Sequence, residues 1–289
     1  MAKLDLNDVL RRKLPRGSRF IPGFAVRALE RLIHADEFNI ILDLYDTLPP
    51  QEFIRALFGR WKIDYTACGL DDIDPSRRYI FASNHPFGGM DGMMLADLLI
   101  THFGDARVMV NDLLMHVYPL SPLWLPVNTH GRQNAEYART IRTTMEGPLP
   151  VLTFPAGLCS RRRDGVVSDT PWKPTFVKLA ESSGREIVPV YVEGELSGRF
   201  YRTARLRERT GMKFNAEMLL LPDEMIRQSG RSFRIYFGAP IPSAELSAAV
   251  TAAGKTELVR SRMEALRRRC ESERAAEIGK KQGEKHCLR

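Results

Sequence analysis

The sequence predicts an α/β fold in which a mixed, largely parallel sheet is flanked by helices. Three observations predict it. From residue 61 onward, short runs rich in β-branched and aromatic residues alternate with amphipathic stretches. A glycine lies near the end of each amphipathic stretch, as at helix ends. The 289 residues have ordinary globular usage, with 44% hydrophobic and 27% charged residues, and suffice for one large core. Strand–helix–strand repetition favours parallel strands.

The elements are predicted in chain order from these patterns. Residues 1–60 are predicted to be a helical N-terminal segment, in which Asn7 can cap a first helix that Pro15 ends. Residues 61–242 are predicted to form the α/β domain, and residues 243–289 a charged helical C-terminal extension. The strands are predicted at 61–68, 79–83, 107–111, 123–128, 150–155, 186–194 and 232–240. Helices are predicted between them at 90–103, 134–147 and 173–184.

The net charge of +8 is concentrated at the two ends of the chain. Residues 1–31 carry eight Lys or Arg and three Asp or Glu, and residues 255–289 carry eleven and six, so each end has a balance of +5. The rest of the chain is nearly neutral. Basic ends can bind nucleic acid or the anionic face of a membrane, and they can equally be solvated helix surface.

The cysteine and hydrophobicity patterns exclude several classes of protein. The four cysteines are far apart and form no C-x-x-C pair, so neither a disulfide framework nor a zinc site is predicted. This usage suits a reducing cytosol. No histidine pair or carboxylate run indicates another metal site. No stretch resembles a signal peptide or reaches the roughly 18 apolar residues of a membrane-spanning helix, so any membrane contact is expected to be peripheral.

The stretch SNHPFGGMDG, residues 83–92, is the first candidate for chemistry. It directly follows a predicted strand and precedes an apolar helix, which is where reactive residues lie in parallel α/β sheets. His85 can act as a base near neutral pH if an acceptor such as Asp91 holds one ring nitrogen. Gly88 and Gly89 permit a turn and a close substrate approach. The alternatives are a structural histidine, a carboxylate that caps the helix, and an ordinary tight turn.

Two further loops contain arginines. In FPAGLCSRRRDG, residues 154–165, three consecutive arginines could clamp a phosphate or carboxylate, although adjacent arginines cannot all point the same way. The alternative is a solvated basic loop. In LPVNTHGRQN, residues 125–134, Arg132 lies between a predicted strand and a predicted helix. Each of these stretches is weak evidence by itself.

The order of these stretches resembles the glycerolipid acyltransferase superfamily, in particular the bacterial 1-acylglycerol-3-phosphate acyltransferases. The resemblance covers about residues 61–195 and is carried best by NHPFGGMD, FPAGLCSRRRDG and IVPV. The stretches HPFGGMDGM and FPAGLCSR are more similar to a branch, often described as hemolysin-like, that is linked to acylation of aminolipids such as ornithine or glycine lipids. The expected fold is therefore glycerolipid acyltransferase-like.

The resemblance implies direct acyl transfer to the hydroxyl of a lyso-lipid, most consistent with a monoacyl aminolipid, from acyl carrier protein or coenzyme A as the thioester co-substrate. No other cofactor is implied. His85 is the expected general base and Asp91 the residue that orients it. The residues expected to bind substrate are Asn84, Gly88, Gly89, Arg132, Phe154, Pro155, Gly157, Arg161, Arg162 and Arg163.

This sequence departs from the family pattern at two points. The family's first block is H-x4-D, whereas His85 and Asp91 enclose five residues, and the glycines are expected to absorb the extra residue in the loop. The third block is usually FPEG, whereas Ala156 replaces the acidic residue here. The alternatives are a 1-acylglycerol-3-phosphate acyltransferase of phospholipid synthesis, a relative that binds lipid or acyl carrier protein without turnover, and a hydrolase.

The lipid acceptor gives the basic ends an expected partner. An enzyme that acts on a bilayer lipid has to reach the membrane surface, and an anionic leaflet attracts Lys and Arg. The expected location is cytoplasmic, peripheral on the inner face of the cytoplasmic membrane. A nucleic-acid partner is not expected, because residues 267–286 contain no interleaved aromatic residues and their acidic residues alternate with the basic ones.

Overall fold

The computed structural model of the protein describes residues 22–111, 118–127, 135–212 and 215–287, with side chains at all of these except 111 and 281–287. The helices are α1 (Gly23–Leu32), α2 (Ala35–Tyr45), α3 (Pro50–Trp61), α4 (Gly89–Phe103), α5 (Ala135–Glu146), α6 (Thr175–Ser183), α7 (Gly198–Thr210), α8 (Leu221–Ile226), α9 (Ser243–Ala248) and α10 (Ala252–Cys287). The strands are β1 (Asp64–Cys68), β2 (Tyr79–Ser83), β3 (Arg107–Asn111), β4 (Trp124–Val127), β5 (Val151–Thr153), β6 (Arg161–Arg163), β7 (Val166–Ser168), β8 (Glu186–Val192) and β9 (Ser232–Phe237). Two 3-10 turns lie at Tyr118–Leu123 and Ala216–Leu220.

The chain forms two compact units. One unit contains α1, α2, α3, α7, α8 and the 3-10 turn at Ala216–Leu220, and the other contains the sheet with α4, α5, α6, α9 and α10. In the first unit, Val26, Ile33 and Ala35 form a small buried cluster where α1 meets α2. None of the helices in the described part of the chain is both long enough and apolar enough to cross a bilayer.

The second unit is organised by a seven-stranded sheet in the order β1-β9-β8-β2-β5-β3-β4. The five strands from β8 to β4 in this order are parallel to their neighbours, while β9 is antiparallel to β8. The predicted fold class, a mixed and largely parallel sheet flanked by helices, is confirmed. The boundaries expected at residues 60 and 242 stay predictions.

The strand β2 lies at the centre of this sheet, between β8 and β5. All five of its residues are buried, which explains why YIFA is a continuous apolar run instead of an alternating one. Ala82 is opposite Pro189 on one side and Thr153 on the other. Because the three strands are parallel, the loops that follow β8, β2 and β5 leave the same edge of the sheet.

A short antiparallel hairpin formed by β6 and β7 is the main element that the sequence patterns did not predict. Its turn consists of Asp164 and Gly165, which both have positive φ, 49° and 84°. An Asp-Gly pair is the preferred sequence of such a two-residue turn. The predicted strands also extend too far, because the turn from Phe154 to Gly157 ends β5, while β8 ends at Val192.

The C-terminal helix α10 packs on the sheet. Val259 and Met263 belong to the same core cluster as Ile187, and Cys270 is also buried. Many basic side chains of α10 pair with glutamates of the protein itself. These pairs are Lys255–Glu181, Arg262–Glu245, Arg267–Glu271, Arg269–Glu273 and Arg274–Glu193. Much of the basic charge of this end of the chain is therefore neutralised locally.

The amino-terminal edge of the sheet is held by the guanidinium of Arg185, which is fully buried. Burial and the nearby charge of Arg78 lower the pKa of Arg185 to about 10, so it stays charged at neutral pH. Its hydrogen bonds run at 2.6 to 3.1 Å to the main-chain oxygens of Tyr79, Thr144, Met145, Gly147 and Leu149. Arg185 thereby satisfies carbonyls at the end of α5 and ties them to the start of β2.

We predict that Arg185→Met destabilises the fold by about 3–5 kcal/mol, because it leaves several buried carbonyl groups without a donor. The free energy of unfolding, measured by urea denaturation, checks this. Arg142→Met, on the exposed face of α5, is the matched control, and its effect is expected within about 0.5 kcal/mol. Equal stability of the two variants would contradict the role of Arg185.

Candidate active site

The candidate site lies at the carboxyl edge of the sheet, where β8, β2 and β5 end side by side. The loop after β2 contains Asn84, His85 and Asp91, and the loop after β5 begins with Phe154. The structure brings these loops together by hydrogen bonds and ring contacts. This is the place where ligands bind in open parallel sheets.

Asn84 fixes the start of the loop to the end of β8. Its side-chain amide donates to the carbonyl oxygen of Val192 at 3.0 Å and accepts from the N–H of Val192 at 2.7 Å. Both ends of the buried amide are therefore used within the protein. Asn84 holds the loop in place, and its direct contact with a substrate stays a prediction.

His85 and Asp91 lie together. The Nδ1 atom of His85 is 3.1 Å from Oδ1 and 3.2 Å from Oδ2 of Asp91. A carboxylate accepts hydrogen bonds, so the neutral imidazole carries its proton on Nδ1 and has a lone pair on Nε2. Among the described residues, Nε2 has no hydrogen-bond partner, and the imidazole is 16% exposed. This nitrogen can accept a proton from a ligand hydroxyl.

The carboxylate of Asp91 is completely buried and is surrounded by donors. Besides the imidazole, it accepts the N–H of Phe87 at 2.9 Å and the N–H of Gly92 at 2.8 Å. It lies in the first turn of α4, where the helix dipole favours a negative charge. Asp91 therefore fixes the loop conformation and the orientation of the ring together.

The extra residue between His85 and Asp91 is absorbed before the helix begins. Gly88 has φ 74° and ψ −119°, a backbone conformation that residues with a side chain rarely adopt, and α4 starts at Gly89. A Cβ atom built at Gly89 would have no described atom within 4 Å apart from its chain neighbours and the backbone of its own helix. The loop thus carries the longer spacing without rotating Asp91 away from His85.

Two phenylalanines fix the positions of the ring and its loop. The ring of Phe154 stacks on the imidazole, with centroids 4.1 Å apart and planes 30° apart. Phe87 is buried in the loop and packs edge-on against Phe233, with centroids 5.1 Å apart. A side chain at Gly194, whose φ is 135°, would collide with the ring of Phe87. Phe87 thus requires a glycine in the loop after β8.

The protonation of His85 is controlled by three neighbouring charges. Burial opposes protonation, but the charge of Asp91, its hydrogen bond and the charge of Asp169 outweigh burial, so the pKa of His85 is raised above its ordinary value of 6.5. The positive charge of Arg161 acts in the opposite direction. His85 is therefore a stronger base than a free imidazole, and its charged form is populated up to a higher pH.

Asp169 is a residue of this site that the sequence patterns missed. Its Oδ1 accepts the main-chain N–H of His85 at 3.2 Å and the hydroxyl of Ser160 at 2.6 Å. Its Oδ2 accepts the indole N–H of Trp172 at 2.8 Å. The local sequence DTPW gives little indication of this role, because the contact with His85 spans 84 positions of the chain.

The three arginines do not form one cluster of free cations. Arg161 is buried and donates to the carbonyl oxygen of Cys159 at 2.7 Å, while Arg162 pairs with Glu195 at 2.9 Å. Arg163 is exposed. The three residues occupy β6, where successive side chains point to opposite faces. The expected clamp, in which at most two of them share one ligand, therefore stays a prediction, with Arg163 the most exposed of the three.

The remaining residues expected at the site differ in where they lie. Pro155 and Gly157 shape the turn after β5, with Gly157 at φ 68°. Burial raises the pKa of the Cys159 thiol, which fits packing better than reactivity. Arg132 lies outside the described residues. Among the described residues, no group of three or more His, Cys, Asp or Glu side chains could hold a metal ion.

We predict that Gly194→Ala displaces Phe87 and destabilises the protein by about 2 kcal/mol or more, because it adds backbone strain to a steric clash. Thermal unfolding measures the loss, and the imidazole NMR signal of His85 reports the displaced loop. Gly59→Ala lies in α3, where the added Cβ would have no described atom within 4 Å apart from its chain neighbours and the backbone of its own helix, and we expect it to be neutral or slightly stabilising. An unchanged unfolding temperature in Gly194→Ala would contradict the packing argument.

Comparison with known proteins identifies the family. A family model described as Acyltransferase matches residues 8–272. The chain is 35% identical over 258 residues to a lyso-glycine lipid O-acyltransferase of Bacteroides thetaiotaomicron, which covers 89% of this chain and 95% of that protein. It is also 35% identical over 240 residues to a lyso-glycine lipid O-acyltransferase of Phocaeicola vulgatus, which covers 83% of this chain and 86% of that protein.

A solved structure is similar at low identity. The crystal structure of the 1-acyl-sn-glycerophosphate (LPA) acyltransferase PlsC from Thermotoga maritima matches with a TM-score of 0.45 and 16% identity, over 92% of this chain and 97% of that one. The family match covers most of the chain, and both curated relatives align over more than four fifths of it. The chain therefore belongs to this acyltransferase family and is an acyltransferase.

Proposed function

We propose that this acyltransferase moves a fatty acyl group from an acyl thioester to the hydroxyl of a lyso-aminolipid of the glycine-lipid or ornithine-lipid type. The observation that carries the proposal is the pair of His85 and Asp91, in which Nδ1 is held by a buried carboxylate and Nε2 has no described partner. A base with these properties is what acyl transfer to a hydroxyl requires.

Two observations support the aminolipid acceptor. The two curated relatives are both named for a lyso-glycine lipid, at 35% identity over most of the chain. Ala156, which stands where the glycerol-phosphate enzymes usually have an acidic residue, is buried in the core cluster of the sheet. The turn after β5 therefore contributes no carboxylate at this position, in agreement with a different acceptor headgroup.

In the proposed reaction the acyl group is transferred directly to the acceptor, and His85 takes up one proton and then returns it. Nε2 of His85 takes the proton of the acceptor hydroxyl while the oxygen attacks the thioester carbonyl carbon. The carbon–sulfur bond then breaks, and the imidazolium returns the proton to the departing thiolate. The products are the ester and the free thiol of acyl carrier protein or coenzyme A. Asp91 keeps Nδ1–H in place throughout and stabilises the imidazolium.

The developing negative charge on the carbonyl oxygen requires donors. We propose the main-chain N–H groups of Gly88 and Gly89, which lie at the start of α4 where the helix dipole favours an anion. The space without described atoms beside Gly89 lets an acyl group approach. Arg163, which is exposed, is proposed to contact the anionic part of the acceptor or donor.

The test measures acyl transfer by purified protein from a labelled acyl thioester to monoacyl glycine lipid, monoacyl ornithine lipid and lysophosphatidic acid. We predict that a monoacyl aminolipid is acylated fastest. His85→Gln is predicted to lower kcat by about 10²–10⁴, because it removes the positioned base. Release of free fatty acid without an acceptor would instead indicate a hydrolase.

The matched control is His34→Gln. His34 lies in the first unit and contacts Asp223 through Nε2 at 2.9 Å, a contact that a glutamine amide can also make. We expect normal transfer from this variant. Near-normal turnover by a folded His85→Gln protein would end the proposal for His85, and preferred acylation of lysophosphatidic acid would end the proposal for the aminolipid.

We further propose that the enzyme works in the cytoplasm as a peripheral protein on the anionic inner face of the cytoplasmic membrane, and that α7 takes part in the contact. This helix has five arginines and one glutamate. Phe200, Tyr201 and Ala204 are its buried residues. Arg202, Leu206 and Arg209 are all exposed and share the other face.

The composition of this face supports a lipid surface. On this face Leu206 is 64% exposed. Elsewhere in the same compact unit, Phe24 and Leu44 are 71% and 57% exposed. Basic residues next to exposed apolar ones are typical of helices that lie in a bilayer interface. The arginines of α10, by contrast, are largely paired with glutamates of the protein.

We predict that Arg202→Glu with Arg209→Glu weakens binding to vesicles that contain phosphatidylglycerol by about 30-fold or more, since each arginine near an anionic surface contributes about 1 kcal/mol. Co-sedimentation at low and high salt measures it. Arg139→Glu with Arg142→Glu makes the same change of charge on exposed positions of α5 and is expected to bind normally. Equal loss in both double variants would contradict a specific role of α7.

A further inference from the structure

The carboxylate of Asp169 connects the loop that follows β2 to the hairpin that follows β5. It accepts the main-chain N–H of His85, the hydroxyl of Ser160 and the indole N–H of Trp172. The main-chain oxygen of His85 accepts the N–H of Ser160 at 2.8 Å. Both main-chain polar groups of His85 are therefore held by Asp169 and Ser160, while Asp91 holds its side chain.

This arrangement differs from that of an ordinary loop anchor in its chemistry. An asparagine could accept from the main chain of His85 and from Ser160 through its one side-chain oxygen, but its NH2 group could not accept the indole N–H of Trp172. Here the acceptor is a carboxylate, which satisfies three donors with two oxygens, and its charge is desolvated, so that burial raises its pKa despite the hydrogen bonds. A desolvated anion is costly in free energy, and this one lies directly against the main chain of His85.

We propose that Asp169 is a second positioning residue for the acyl-transfer base, fixing the main chain at His85 and supplying a second negative charge that favours the imidazolium form. This inference rests on the proposed role of His85. Because both oxygens of Asp169 accept from protein groups, one of them the N–H of His85, Asp169 is assigned an action through His85.

The charged and titratable groups around His85 determine how its pKa should respond when the charge of Asp169 is removed. Asp91 on α4 and Asp169 after β7 favour protonation, Arg161 on β6 opposes it, and the nearby Cys159 thiol stays neutral because burial raises its pKa. Loss of the charge of Asp169 leaves Asp91 opposed by burial and by Arg161. The pKa of His85 should then fall toward its ordinary value of 6.5.

The experiment compares Asp169→Asn with wild type by NMR titration of the His85 imidazole, assigned with His85→Gln. We expect a lower pKa of His85 in the variant. Because the base must be neutral to act, the acid limb of the kcat/KM profile should move to lower pH, while the maximal kcat falls about 10–100-fold through lost positioning. The fluorescence of Trp172 should also change, because its indole loses a carboxylate acceptor.

Asp164→Asn is the matched control. It makes the same substitution in the exposed turn of the same hairpin, and asparagine is compatible with its φ of 49°. We expect an unchanged His85 titration, pH profile and kcat in this variant. A purely structural role of Asp169 would lower kcat or stability without moving the titration of His85, and that result would overturn the inference.

Asp169→Glu separates the effect of the charge from the effect of its position. It also provides a test if Asp169→Asn does not fold. The longer side chain keeps the charge, so the raised pKa of His85 should persist while kcat falls; an unchanged kcat would overturn the positioning role. The titration needs no turnover, so it reports on Asp169 even if the proposed acceptor is wrong. A fully active His85→Gln would instead refute the proposed function on which the inference rests.

Discussion

The buried carboxylate of Asp91 is the interaction on which the candidate site depends. An unexposed charge costs several kcal/mol unless donors surround it. Its donors here are the N–H groups of Phe87 and Gly92 and the Nδ1–H of His85. All three come from the loop and from the first turn of α4. The conformation of the loop, the start of the helix and the orientation of the imidazole are therefore set by one electrostatic requirement.

The position of this site could be predicted because it follows from local patterns. The buried central strand β2 is visible as the apolar run YIFA, and a loop with glycines, a histidine and an aspartate follows it directly. The carboxyl edge of a parallel sheet is then the expected location. That the loop absorbs the longer spacing between His85 and Asp91 could also be predicted, since a glycine such as Gly88 can adopt the required backbone conformation.

Other parts of the site depend on contacts that no local pattern encodes. Asp169 contacts His85 across 84 positions, and its role results from how the hairpin packs on the loop. The Asp-Gly pair at 164 and 165 is typical of a hairpin turn and could have indicated β6 and β7. The three arginines before it were interpreted as a basic loop instead of a strand. That run suggested a clamp for an anion. The strand alternation of β6 instead places Arg162 on the face opposite Arg161 and Arg163, and Arg161 and Arg162 have partners within the protein.

The two carboxylates near His85 are compatible with a base that also has to return its proton. In the proposed reaction the imidazole takes a proton from a hydroxyl and then gives it to a departing thiolate. A free thiol has a pKa of about 8.5 and a free imidazole about 6.5. Burial alone would make the imidazolium too acidic to form readily, and the charges of Asp91 and Asp169 correct this. A pKa of His85 above 6.5 strengthens the base. Return of the proton to the thiolate is favourable whenever the pKa of the imidazolium is below that of the thiol.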